Sequence, residues 1–141
     1  MSFPIEDIPD SALLYLRVHK NHIDDEGEVN VGVFKEHGEG NKKSMSTDWK
    51  NYSTPEDTRN RARKPNLNGV VHFIARNLRN LTLSVTHSPI DPNPPVEEAN
   101  QAHTDVNGNN KPIEEDGEIR LKLLDEIEWD IRIDMNKYSE K

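Results

Sequence analysis

The stretch EIRLKLLDEIEWDIRID, Glu118 to Asp134, can be laid out in two ways. Ile119, Leu123, Leu124 and Ile127 recur at helical spacing, and Glu118 stands four residues before Lys122, the favourable order for a helical ion pair. The same stretch also alternates in part, as one long strand would. The helical stripe is the better fit. It predicts a helix from about Glu114 to Glu126, then a strand over EWDIRID with Trp129, Ile131 and Ile133 on one face. The long strand stays open as the alternative.

Working back from there, NLTLSVTH ending at His87 alternates Leu81, Leu83 and Val85, and NGVVHFIAR ending at Arg76 carries the dense apolar run Val70, Val71, Phe73 and Ile74. Both read as strands, with NLRN as the turn between them. Near the start, ALLYLRVHK (Ala12 to Lys20) puts Leu14, Leu16 and Val18 opposite Tyr15, Arg17 and His19. EVNVGVFKE (Glu28 to Glu36) repeats the pattern with Val29, Val31 and Val33, which predicts a hairpin across NHIDDEGE.

The segment from His37 to Pro65 is mostly polar, with Trp49 and Tyr52 as anchors. It contains one helix start: Thr54 as N-cap, Pro55 at the first helical position, and Glu56 and Asp57 at the positive end of the dipole. Pro65 stops that helix. Pro89, Pro92, Pro94 and Pro95 then interrupt regular structure, VEEANQAH after Pro95 can form a helical turn or two ending at His103, and VNGNNKP is turn-rich.

Together these give a small α+β domain over residues 1–141: a mostly antiparallel sheet of about five strands, one or two helices and long polar loops. Residues 1–10 and 135–141 are expected to be loosely ordered ends.

Composition narrows the function. With 32% hydrophobic and 31% charged residues, the core must come from a few dense runs. A net charge of -8 argues against nonspecific duplex nucleic-acid binding, which needs cations against phosphates. The absence of cysteine rules out disulfides, thiolate metal sites and a thiol nucleophile, and suits a reducing cytoplasm. MSFPIEDIPD lacks the apolar region of a signal peptide, and no run is long enough for a membrane helix. No cofactor is expected.

Three clusters are candidates for chemistry. His87 and His103 flank the proline loop with Asn100 between them, and imidazoles serve as general bases or proton shuttles near neutral pH. Against this, His87 capping a strand and His103 bonding a turn carbonyl would be ordinary loop punctuation. Their spacing matches no zinc site, so no metal is expected. His19 and His22 beside Asp24, Asp25 and Glu26 lack a calcium-loop pattern and read as a solvated acidic turn. Arg59, Arg61, Arg63 and Lys64, with Arg76 and Arg79 adding to them, form the basic concentration. With Trp49 and Tyr52 nearby it could grip a phosphate, carboxylate or nucleotide, or only pair with the abundant acids. Ser44, Ser46, Thr47, Ser53 and Ser88 are hydroxyl nucleophiles by type, but none sits in Gly-x-Ser-x-Gly or Ser-x-x-Lys. Walker and dinucleotide-binding loops are also missing.

The segments MSTDWKNYSTPEDTRNRAR and VTHSPIDPNPPVEEANQAHTDVNG resemble a pattern in small uncharacterised bacterial proteins, in which Ser-x-x-Trp and Tyr-Ser-x-Pro-Glu precede a strand pair and then His-x-Pro and Asn-x-x-His. The resemblance spans Ser44 to Gly108. It implies that Trp49, Tyr52, His87, Asn100 and His103 gather around one surface, and it carries no activity with it. The expected function is a non-catalytic binding or interaction module with a protein partner, as an accessory component of a multi-protein system, working from an exposed apolar patch at Trp49 or Trp129. The alternatives are a small hydrolase or transferase using His87, Asn100 and His103, and a sensor of a small polar ligand using Trp49, Tyr52, Arg59, Arg63 and Arg76.

Overall fold

The computed structural model describes residues 3–37, 44–92, 99–108 and 111–133. Among these residues six strands form one antiparallel sheet: β1 (Leu13–His19), β2 (Met45–Trp49), β3 (Asn68–Ile74), β4 (Ser84–His87), β5 (His103–Asn107) and β6 (Glu128–Ile131). Their order is β4-β5-β2-β1-β3-β6. Three helices accompany them: α1 (Pro55–Asn60), α2 (Ala75–Asn80) and α3 (Gly117–Glu126). The chain is α+β.

Alternation along the strands separates two faces. Leu14, Leu16 and Val18 share one face with Trp49, Val71, Phe73, Thr104 and Val106 through the strand registers. This is the core face. Phe34, Leu78, Ile113 and Leu123 close over it, with the Phe34 and Phe73 rings 6.0 Å apart. Tyr15, Asp48, His72 and His103 occupy the other face, where α1 lies across β1 and β3.

The C-terminal third follows the helical reading. Asp116 caps α3 by accepting the Ile119 amide at 3.1 Å, Leu123 is fully buried, and Ile119, Leu124 and Ile127 pack beside it. The long-strand alternative is excluded. A register shift between Val70 and Val71 places Trp129 opposite Val71 but Ile131 opposite Val70, so Asp130 is an extra residue in the ladder. The expected common face of Trp129, Ile131 and Ile133 is therefore broken. Trp129 and Ile133 lean on the core while Ile131 turns to the other side. Gly69 is what lets β6 come this close, since a Cβ there would lie 2.5 Å from the Ile131 carbonyl and 2.8 Å from the Trp129 ring.

Four local expectations need correction. First, Glu28–Glu36 is not a strand: Asn30 caps a short helical turn at Val31–Val33 by accepting the Gly32 amide at 3.0 Å. That side-chain bond competes with a ladder and curls the chain, so Val33 and Phe34 reach the core from a loop. Second, the turn between β3 and β4 is the helix α2. It ends in paired bonds, Leu83 amide to Leu78 carbonyl and Thr82 amide to Arg79 carbonyl, with Thr82 at a φ of 65°. Third, His103 opens β5 instead of ending a helical segment. Asn100 bridges Ile90, and Gln101 and Ala102 turn the chain into the strand, while residues 93–98 lie outside the description. Val106 and Asn107 likewise belong to β5 and not to a loop. Fourth, the polar segment before α1 contains β2, which raises the sheet to six strands. Among the ends, residues 135–141 lie outside the described residues, while the Phe3 amide bonds Asp91 at 2.8 Å.

Candidate functional site

β1 and β2 meet only at Leu14–Trp49 and Tyr15–Asp48. Beyond this seam they part, because Ser44 exchanges both backbone bonds with His37, at 2.8 and 2.9 Å, instead of with β1. The gap is a cavity of about 780 Å³ walled by Arg17, His19, Lys35, His37, Ser46, Asn60, Arg61, Asn100 and His103.

Its floor is held by Asp48, which is 5% exposed. One carboxylate oxygen accepts the Arg61 guanidinium at 2.6 Å and the Thr58 hydroxyl at 2.9 Å, and the other accepts the Asn100 amide at 2.9 Å. Ser53 adds a bond to Arg61 at 2.9 Å and another to Thr58 at 2.8 Å. The N-cap of α1 orients this group: Thr54 accepts the Asp57 amide, which sets Thr58 and Arg61 on the face turned to the sheet. Asn100 is fixed from behind by the Ala102 amide at 3.1 Å.

Above Asp48 the cavity is basic. Arg17 donates to the Thr58 carbonyl at 3.2 Å, and its guanidinium sits in crowded surroundings although the residue as a whole is exposed. Burial of that group lowers the Arg17 pKa from its ordinary value, Asp48 pulls it back up, and Arg61 lowers it further. Asp48 is the single carboxylate among the described lining residues, against the cations of Arg17, Lys35 and Arg61. Four of the six histidines, His19, His22, His37 and His103, line the same space. Burial, and then the neighbouring His19, lowers the His22 pKa. Its Nδ1 is buried with no hydrogen-bond partner among the described residues.

The expected trio of His87, Asn100 and His103 does not share one pocket. His87 pairs with Thr104 in the ladder and His103 is the next residue, so the two rings leave opposite faces of the sheet. His87 is 2% exposed, accepts the Glu6 amide on Nδ1 at 3.0 Å and donates from Nε2 to the Gln101 carbonyl at 2.7 Å. Its ring packs with Trp49 and Tyr52, whose centroids lie 5.3 and 6.2 Å away, and the Tyr52 hydroxyl bonds Glu6. That bond raises the Tyr52 pKa. Trp49 is buried, and Trp129 lies half-buried under the Arg132 guanidinium, 5.0 Å from the ring centroid. Neither presents an exposed apolar patch.

The arginines also divide. Arg61 enters the cavity, Arg59 is half-buried with its Nε unpartnered among the described residues, Arg63 is exposed, and Arg76 stands on α2, where its amide bonds the Asp10 carbonyl. Sequence reasoning singled out His103, Asn100 and Arg61 and passed over Arg17, Lys35, Asp48 and His37. Asp48 carried a usable signal: a carboxylate directly before the anchoring Trp49, followed by the hydroxyls of Ser53 and Thr58 at five-residue intervals.

Among the described residues no helix is long and apolar enough to cross a membrane, and no group of three or more His, Asp or Glu side chains is placed to hold a metal ion. Set against known protein families, curated proteins and solved structures, the chain has no significant match.

Proposed function

We propose that the chain is a binding module whose β1–β2 cleft receives a ligand carrying a carboxylate or phosphate group, in a cytoplasmic setting. One observation carries the reading: the basic side chains of Arg17, Lys35 and Arg61 gather with four histidines around one cavity in a protein of net charge -8. A cavity of about 780 Å³ falls within the size range of small-molecule sites. Its one described lining carboxylate already pairs with Arg61, which leaves Arg17 and Lys35 without a second acid among the described residues lining the cavity. The acidic group can belong to a free small molecule or to an acidic segment of a protein partner.

Thermal melting with succinate, inorganic phosphate and an acidic peptide tests this. A ligand at about 100 times its Kd adds about 2.7 kcal/mol of stability. That corresponds to a rise of roughly 5–10 °C, which should shrink with added salt and disappear in Arg17→Gln. Unchanged melting with all three ligands at low ionic strength would overturn the proposal.

A further inference from the structure

We infer that the cleft also carries a nucleophile and its base, Ser46 and His103, and that the ligand class it takes includes anionic carboxylic esters, which it hydrolyses. The inference rests on the anion-binding reading of the cleft and goes beyond it.

Ser46 is exposed on β2 with its side chain on the cleft face, diagonal to His103 on β5. Its Oγ lies 3.1 Å from His103 Nε2. His103 Nδ1 lies 2.9 Å from the Ser88 carbonyl and 3.1 Å from the Ser88 hydroxyl. The carbonyl is the shorter contact and can only accept; in the tautomer that satisfies it, Nδ1 carries the hydrogen and Nε2 presents a lone pair to the Ser46 hydroxyl. A hydroxyl within reach of a base that a third group orients is the arrangement activated serines use. The Asp105 carboxylate, 3.8 Å from Nε2, meets the positive charge formed when the proton arrives. Ser44 holds Asp105 in place with a bond of 2.7 Å.

The chemistry closes without any further reagent than water. Ser46 Oγ attacks the ester carbonyl carbon and its proton passes to His103 Nε2, giving a tetrahedral oxyanion. The carbon–oxygen bond to the alcohol breaks, and His103 returns the proton to the leaving alkoxide. A water molecule, deprotonated by His103, then attacks the acyl-Ser46 carbonyl; the bond from that carbon to Ser46 Oγ breaks, His103 returns the proton to Oγ, and the acid leaves. Arg17 and Lys35 line the same cavity and supply positive charge both to the oxyanion and to an acidic group elsewhere on the substrate.

The test uses the full chain with a fluorophosphonate probe, 4-nitrophenyl hydrogen succinate and neutral 4-nitrophenyl butyrate. Peptide mass mapping should place the fluorophosphonate on Ser46. The succinate ester should be cleaved faster than the neutral ester. Ser46→Ala and His103→Gln should each lower that rate by about a hundredfold or more with unchanged melting curves. No adduct at Ser46, or equal turnover in Ser46→Ala, overturns the inference. Binding of free succinate, followed separately by calorimetry, distinguishes the two failures. If succinate binds and the ester is not cleaved, the nucleophile falls and the anion site stands. If neither occurs, the ester hydrolysis falls, and the anion site falls with it once phosphate and the acidic peptide also fail to bind.

Discussion

Replacing Asp48 by alanine removes the acceptor on which three elements converge. The carboxylate is 5% exposed and takes Arg61, Thr58 and Asn100 at 2.6, 2.9 and 2.9 Å. Cutting one partner out of a buried ion pair costs about 3–5 kcal/mol, because the remaining charge and donors are left without acceptors. Arg61 keeps 29% of its side chain exposed and recovers part of its hydration, which sets the expectation near the lower end, about 3 kcal/mol. For a chain of 141 residues that is a fall in Tm of roughly 12 °C, taking about 4 °C per kcal/mol. Asp48→Asn keeps the shape and some of the bonds and should lose about half as much. Urea unfolding followed by circular dichroism at pH 7 gives both values, with the m-value unchanged. A second readout has the opposite sign: with the carboxylate gone and Arg61 released, succinate should bind more tightly to Asp48→Asn than to the parent. A stability loss below about 1 kcal/mol would show that the Asp48 cluster is not an energetic centre, and weaker succinate binding would refute the charge balance assigned to the cleft.

Gly69→Ala should destabilise by about 2 kcal/mol or more in the same assay, since its Cβ would meet the Ile131 carbonyl at 2.5 Å and force β6 outward; an unchanged midpoint would refute the close approach. Thr82→Gly should raise stability by up to about 1 kcal/mol, because a β-branched residue holds a φ of 65° at the end of α2, and a loss would show that its side-chain bonds outweigh the strain. Stability should decline as pH falls below about 6.5, where the unfolded chain protonates His22 before the folded one does, its folded pKa being lowered by burial and by His19. The loss ends once folded His22 also takes a proton. His22→Asn should flatten that part of the profile, and an identical slope in the variant would assign the dependence elsewhere.

The elements legible in the sequence were those whose apolar residues keep a period. β1, β3 and α3 bury Leu14, Phe73 and Leu123 on the faces their spacing predicts. β2 and β5 were missed because each carries a threonine at a core-facing position between polar neighbours, which breaks the apolar period. Thr47 and Thr104 are 2% and 0% exposed, and they are tolerated because Thr47 donates to the Thr104 carbonyl at 2.9 Å and Thr104 to the Ala102 carbonyl at 3.0 Å. Hydropathy reads such residues as loop. Val29 and Val31 misled in the other direction, since the Asn30 cap overrides their alternation. Of the site, His103 was visible as a residue, but its partner Ser46 lies 57 positions away on a strand with no apolar period. Only the sheet order brings them together.

The seam between β1 and β2 makes the sheet two three-stranded leaves, β4-β5-β2 and β1-β3-β6, stitched by two residue pairs. β1 is matched to β3 along seven pairs and every other ladder within the leaves has three or four, so the junction is the least knit line of the sheet. Partial opening of this protein should therefore run along that line, as a book opens at its spine, before either leaf melts. Hydrogen–deuterium exchange would show it as earlier loss of protection at Tyr15 and Asp48 than at the β1–β3 amides. Asp48 then has a mechanical task as well as an electrostatic one: through Arg61, Thr58 and Asn100 it is the rivet that keeps the spine closed.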